Sequence, residues 1–157
     1  MFPWRCNMRL VLDGETGEPN VVDTGVQQGS PAAPILFVTY LSGIFEEVEW
    51  AATGVSELSF VDDIGWWAEG KNAAEVANKL LQAAAASIEW EGKNSIAFDH
   101  GKTEAAIFWS KTRKCAQTKA KVRVGAKEVR FNQAATRWLG VWLDSQLTLK
   151  EHHATRL

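Results

Sequence analysis

Two adjacent carboxylates, Asp62 and Asp63, sit inside an apolar, β-prone run. Leu58-Ser59-Phe60-Val61 precedes them and Ile64-Gly65-Trp66-Trp67 follows. Neighbouring aspartates repel each other and lose hydration when crowded, so a fold keeps them together where something cationic compensates. A pair of magnesium ions is the usual compensation in phosphoryl-transfer chemistry. Alone, the dipeptide is a weak signal, because aspartate also suits an ordinary solvated turn. A second segment upstream adds weight: Gly25-Val26-Gln27-Gln28-Gly29-Ser30-Pro31, a polar, glycine-bounded loop whose proline suits the first turn of a helix.

The elements that must position these residues follow from hydrophobic period. Met8–Asp13 and Val21–Thr24 read as strands around a turn-rich loop at Gly14–Asn20. Ile35, Val38, Leu41, Ile44, Phe45 and Val48 recur at three-to-four spacing, predicting an amphipathic helix to about Trp50. Ser56–Val61 and Ile64–Ala68 are the arms of a short hairpin around the aspartates, with Trp66 and Trp67 pointing to opposite faces. A second helix spans about Ala73 to Glu91. Its apolar stripe is Ala73, Val76, Ala77, Leu80, Leu81, Ala84 and Ile88, with Lys79, Gln82 and Glu89 off it.

Ile96–Asp99 and Glu104–Trp109 read as further strands, and Lys111–Ala120 as a polar, basic loop. Lys121–Val124 and Glu128–Phe131 form a hairpin with alternating apolar and basic residues. Trp138–Leu143 is one more strand, with Trp138 and Trp142 on one face, and a helix begins near Leu147. Strands joined mostly by hairpins and separated by two long helices predict an α+β fold, an antiparallel sheet with helices packed on one face.

With 157 residues the chain can bury one core and a fragment of another. An apolar content of 46% with eight tryptophans excludes a disordered chain. No apolar run is long enough to span a membrane, and the first residues lack signal-peptide architecture. Cys6 and Cys115 have no metal-ligand partners at useful spacing and read as free thiols, which predicts an intracellular protein, nuclear or cytoplasmic.

The net charge of −2 hides an asymmetry. Residues 1–100 carry five Lys/Arg against fifteen Asp/Glu, whereas residues 101–137 carry ten Lys/Arg against Glu104 and Glu128. A balance of +8 in so short a stretch suits a surface facing a phosphate backbone, the alternative being a solvated basic face.

Together these residues resemble the reverse transcriptases of non-LTR (LINE-type) retrotransposons, most like those of fungal elements. Gly25–Phe37 is similar to the family's G-x-P-Q-G-S-P-x-S-P-x-L-F loop and helix, and Phe60-Val61-Asp62-Asp63 to its F/Y-x-D-D hairpin. Gly101-Lys102-Thr103-Glu104 is similar to the lysine motif that follows, and Trp138–Asp144 to the "LG" motif at the palm–thumb edge. Four motifs in the family's order are stronger evidence than any one of them.

The resemblance implies a polymerase palm-like fold, with residues 1–110 as partial palm, 111–146 as basic hairpin and palm–thumb edge, and 147–157 as the start of a thumb helix. It implies RNA-directed DNA polymerisation on an RNA template and DNA primer with dNTPs and two Mg²⁺ ions. In those roles Asp62 and Asp63 are metal ligands, and Lys102 protonates or stabilises the leaving pyrophosphate. Gln28, Gly29, Ser30 and Pro31 position template or nucleotide, and Lys121, Arg123 and Lys127 meet the nucleic-acid backbone.

Plainer readings stay open: a helix-preceding loop for Gln27-Gln28, a solvated turn for Lys102, core packing for Trp138 and Trp142, and surface positions for His152 and His153. The family's first catalytic aspartate motif has no counterpart before Gly25, and Gln27 stands where the family has proline. The expectation is therefore a partial chain, inactive alone, with weak or absent metal binding. The alternative is a non-catalytic nucleic-acid-binding remnant or a decayed reading frame.

Overall fold

The structure, a computed structural model, describes residues 6–22, 29–110, 119–132 and 134–155. Gln27, Gln28 and residues 111–118 of the expected basic loop lie outside them. The chain forms two compact units, Met1–Gly43 and Ile44–Leu157, with the division falling inside one continuous helix.

In the first unit, β1 (Cys6–Met8) pairs with β4 (Asn20–Val22), and β2 (Val11–Leu12) with β3 (Glu15–Thr16), all antiparallel. The predicted strand-loop-strand is thus a nested hairpin closed at Asp13-Gly14. Both of those residues hold positive φ, 51° and 83°, as a type I′ turn requires. The loop expected at Gly14–Asn20 therefore contains one strand, β3, and the first residue of β4. Asp-Gly is the strongest short-range hairpin signal, and it outweighed the surrounding polarity.

Helix α1 (Ala33–Ala51) starts two residues past the expected proline. Leu41, Ile44 and Val48 are fully buried, whereas Ile35 and Val38 from the predicted stripe are exposed.

The second unit builds on α2 (Ala73–Asn94). Asn72 caps it by accepting the Glu75 amide at 2.9 Å, and the Glu75 carboxylate reaches back to the Lys71 amide at 3.0 Å. Those contacts, the Lys71 amide first and then Lys79, hold the Glu75 carboxyl below its usual range. The helix runs three residues past the expected Glu91, nearly one turn, and buries more than one stripe: Ala77, Ala83, Ala84, Ala86, Ser87 and Trp90 are buried, and Leu81 is exposed. The reason is packing on two sides, against β5 (Val55–Phe60) with β6 (Asp63–Ala68), and against β8 (Lys121–Val124). Alanine permits the close approach that two neighbours demand.

Strand β8 pairs antiparallel with β9 (Lys127–Asn132), which also pairs, in parallel, with β7 (Ala105–Ala106). Val122 and Phe131 of this three-stranded sheet meet Ala77 and Ala84, with Val76, Leu80, Ala105, Ile107, Ala120 and Val124 packed around them. This is an apolar cluster distinct from the fully buried Leu41, Ile44 and Val48 of α1.

Two expectations fail here. Ile96–Asp99 is not a strand: the Phe98 amide is taken by Glu91 Oε1 at 3.0 Å, and the segment leads into a 3₁₀ turn, His100–Lys102. Trp138–Leu143 is not one strand but a hairpin, β10 (Thr136–Trp138) and β11 (Val141–Leu143), turning at Leu139 (φ 46°) and Gly140 (φ 82°). The register pairs Trp138 with Val141 and Arg137 with Trp142, so the two tryptophans lie on opposite faces, not on one.

Helix α3 (Lys150–Ala154) follows; His152 is half-buried, its Nδ1 accepting the Trp142 amide at 3.4 Å, and His153 is exposed. The α+β class stands. Among the described residues the strands pair mostly antiparallel, as expected, in five small sheets and not in a single one, with one parallel pairing. Among the described residues, no helix is long and apolar enough to cross a membrane.

Candidate functional site

The β5–β6 ladder runs from Val55↔Ala68 to Phe60↔Asp63 and leaves Val61 and Asp62 as a two-residue turn. Asp63 therefore begins β6 instead of sitting in the turn, directly across from Phe60. Val61 holds φ at 55°, a left-handed conformation that a β-branched residue adopts only when its surroundings enforce it. Both carboxylates are exposed, and among the described residues neither side chain has a hydrogen-bond or ion-pair partner. Two unpaired, solvent-facing carboxylates at the tip of a rigid ladder are available to an external cation.

Opposite residues of an antiparallel pair share a face. Phe60, Asp63, Leu58, Gly65, Ser56 and Trp67 thus line one side, and Trp66 lies on the other. Trp66 packs edge-on against Phe45 of α1, ring centroids 5.8 Å apart. Trp67 is exposed, so the two rings divide as expected between inside and outside. On the carboxylate-bearing face, the Trp138 ring covers Gly65: a Cβ there would sit 3.2 Å from Trp138 Cη2 and 3.4 Å from Cζ2. Trp138 Nε1 is buried there without a partner. The structure thereby brings the Asp62-Asp63 hairpin and the Trp138-Leu139-Gly140 turn together, a contact sequence reading missed because nothing local announces it.

Gly29 (φ 89°) and Ser30 lead into α1. The Ser30 hydroxyl accepts the Ala32 amide at 3.4 Å and its carbonyl the Ala33 amide at 3.1 Å, so Ser30 ties down the helix start while Pro31 is exposed. Gln28 lies outside the described residues.

Lys102 ends the 3₁₀ turn with its side chain 86% exposed, in an ion pair with Asp99 at 3.1 Å. That pairing, with the Gly101 and Lys102 amides, holds the Asp99 carboxyl below its usual range. The three remaining cations differ in their commitments. Lys127 Nζ donates to the carbonyls of Gly101 (2.6 Å) and Thr103 (3.0 Å), fastening the segment that carries Lys102. Lys121 pairs with Glu128 at 2.6 Å, and Arg123 Nε donates to the Gly125 carbonyl at 3.2 Å; both are exposed.

Residues 2–143 match the family described as reverse transcriptase (RNA-dependent DNA polymerase). The chain belongs to the reverse transcriptase family. It is also similar to the Retrovirus-related Pol polyprotein from type-1 retrotransposable element R1 2 of Nasonia vitripennis, 28% identical over 130 residues. That alignment covers 82% of this chain and 31% of the relative, so the chain spans about a third of the relative's length. Both findings support the motif resemblance to non-LTR retrotransposon reverse transcriptases; neither bears on its fungal leaning. No solved structure matches.

A divalent metal, typically magnesium, is implied by this family. The donor set fits one such ion: hard oxygens, two carboxylates, and room for water or phosphate to complete an octahedron. Among the described residues no group of three or more His, Cys, Asp or Glu could hold a metal.

Proposed function

We propose that this reverse transcriptase chain carries the palm and thumb-edge portion of an RNA-directed DNA polymerase. On that reading it works on an RNA template, a DNA primer and dNTPs inside the cell, in nucleus or cytoplasm. The observation that carries it is the exposed, unpartnered Asp62-Asp63 pair at the tip of the β5–β6 hairpin.

Asp62 and Asp63 would hold magnesium. When bound, the ion lowers the pKa of the primer 3′-hydroxyl and neutralises charge on the departing pyrophosphate. Placing both carboxylates at a hairpin tip lets a primer terminus approach without displacing protein atoms. Gly29, Ser30 and Pro31, with Gln28 before them, border the start of α1 and would orient template or nucleotide. Lys102 extends into solvent with Asp99 steadying its ammonium, a placement suited to donating a proton or a positive charge to pyrophosphate.

Two carboxylates without a third hold metal weakly, so this chain by itself does not extend a primer. Two measurements test the reading. Mn²⁺ at millimolar concentration should broaden the amide resonances of residues 60–64 selectively, and Asp62→Asn should remove the effect; no selective broadening would sink the metal-site assignment. Primer extension by the purified chain should be absent with Mg²⁺. Extension that disappears in Asp62→Asn would overturn the claim of inactivity while upholding the polymerase.

The second reading, a non-catalytic nucleic-acid-binding remnant, is favoured by one observation: the excess of cations at 101–137, which does not depend on a complete metal site.

A further inference from the structure

The sheet β7-β9-β8 has two unlike faces. One is apolar: Val122 and Phe131 pack on α2, and Val129 on the same face is buried. The register sets the other: Lys121 stands opposite Arg130 and Arg123 opposite Glu128, and all four are exposed. Lys127 belongs to the opposite parity, paired with Val124, and its ammonium is occupied by Gly101 and Thr103.

Like charges placed directly across an antiparallel ladder, with Cβ atoms about 5 Å apart, destabilise it. The fold nonetheless sets Lys121 against Arg130. Glu128 is the one carboxylate on the four-residue face, and Lys121, Arg130 and Arg123 all bear on it; these cations, Lys121 first, hold its carboxyl below the usual range. Three cations against one anion leave two positive charges unmatched. No apolar side chain interrupts the group, so the face offers charge without a hydrophobic anchor. Such a surface suits a repeating polyanion contacted through its charges.

We propose that the exposed face of the β8–β9 hairpin binds the phosphodiester backbone of the RNA–DNA template–primer duplex through Lys121, Arg123 and Arg130. Glu128 acts as an internal counter-ion that phosphate displaces. The proposal rests on the reverse-transcriptase reading for its choice of polyanion, and it deepens that reading by assigning Arg130, and not Lys127, to the surface. Phosphate contacts position a duplex without reading its sequence, so binding here is sequence-independent.

The test is fluorescence anisotropy of a labelled RNA–DNA hybrid with the 157-residue chain across a salt series. The triple variant Lys121→Gln, Arg123→Gln, Arg130→Gln should weaken binding at least about tenfold at low salt and flatten the log K against log salt slope by about 2 to 3. Glu128→Gln should tighten binding severalfold, a gain that misfolding cannot produce. An unaltered slope in the triple variant, weaker binding in Glu128→Gln, or equal affinity for phosphatidylserine vesicles would overturn the proposal. Loss of the Mn²⁺ signature at residues 60–64 would instead strike the polymerase reading and leave this surface standing.

Discussion

At the scale of single residues, backbone strain and carboxylate placement go together. Val61 sits at φ 55° immediately before Asp62, a conformation that costs about 1–3 kcal/mol for a side chain of its kind. The ladder on either side over-determines the turn, and the result is a fixed backbone under both carboxylates. Asp144 shows the opposite use of a carboxylate, fully spent on its own chain. Its oxygens accept the Gln146 amide (3.0 Å), the Thr148 amide (3.1 Å) and the Thr148 hydroxyl (2.9 Å). The Thr148 amide is the largest of several donors that hold its carboxyl below the ordinary value of 3.8. A folded-state value below the unfolded one means that the stabilisation is complete above the ordinary value. It is lost as pH falls below that value, through the lowered one. Asp144→Asn should therefore show a shallower acid limb than the parent, read from urea midpoints between roughly pH 5 and pH 2. Parallel profiles would contradict this account of the turn before α3.

Between elements, the informative contact is the one joining the β5–β6 hairpin to the β10–β11 hairpin. The Trp138 ring lies 3.2 Å from where a Cβ on Gly65 would sit, two residues from Asp63. Gly65→Ala should overpack the contact and destabilise the chain by about 1–2 kcal/mol. Combining it with Trp138→Phe should recover part of the loss, with a coupling of about 1 kcal/mol in a double-mutant cycle. Additive effects would mean that the ring moves aside freely. Sequence patterning revealed the hairpins and helices wherever the cue was local. Alternation in Lys121–Phe131 announced β8 and β9, and period announced α1 and α2. It failed where tertiary partners decided the outcome. Trp138–Leu143 reads as an unbroken apolar run, and only Gly140 hinted at a turn. Ala83, Ala86 and Trp90 lie outside the predicted stripe, because one stripe does not reveal a second covering layer. Of the candidate site, the Asp62-Asp63 hairpin was legible. The ties of Lys127 were not, since its partner carbonyls come from a different segment.

For the molecule as a whole, charge and fold are segregated in parallel ways. The acidic stretch through residue 100 contains the hairpin that would take a cation, and the basic stretch after it contains the face that would take a polyanion. A reverse transcriptase needs both, on separate surfaces, because a carboxylate pair beside bare cations would be neutralised by them. Strand β9 lies between β7, which runs parallel to it, and β8, which runs antiparallel. That arrangement has a temporal consequence. The β8–β9 hairpin closes through a two-residue turn and can form early. The β7 pairing joins Ala105 to Phe131, far more distant in sequence, and so closes later. Pulse-labelled hydrogen exchange during refolding should protect the amides shared by β8 and β9 first and those of Ala105 and Ala106 later; simultaneous protection would refute the order. Arg130 and Lys121 would then face each other across a newly formed ladder before the sheet is complete. The cationic face would exist from the first moments of folding, before β7 is in place.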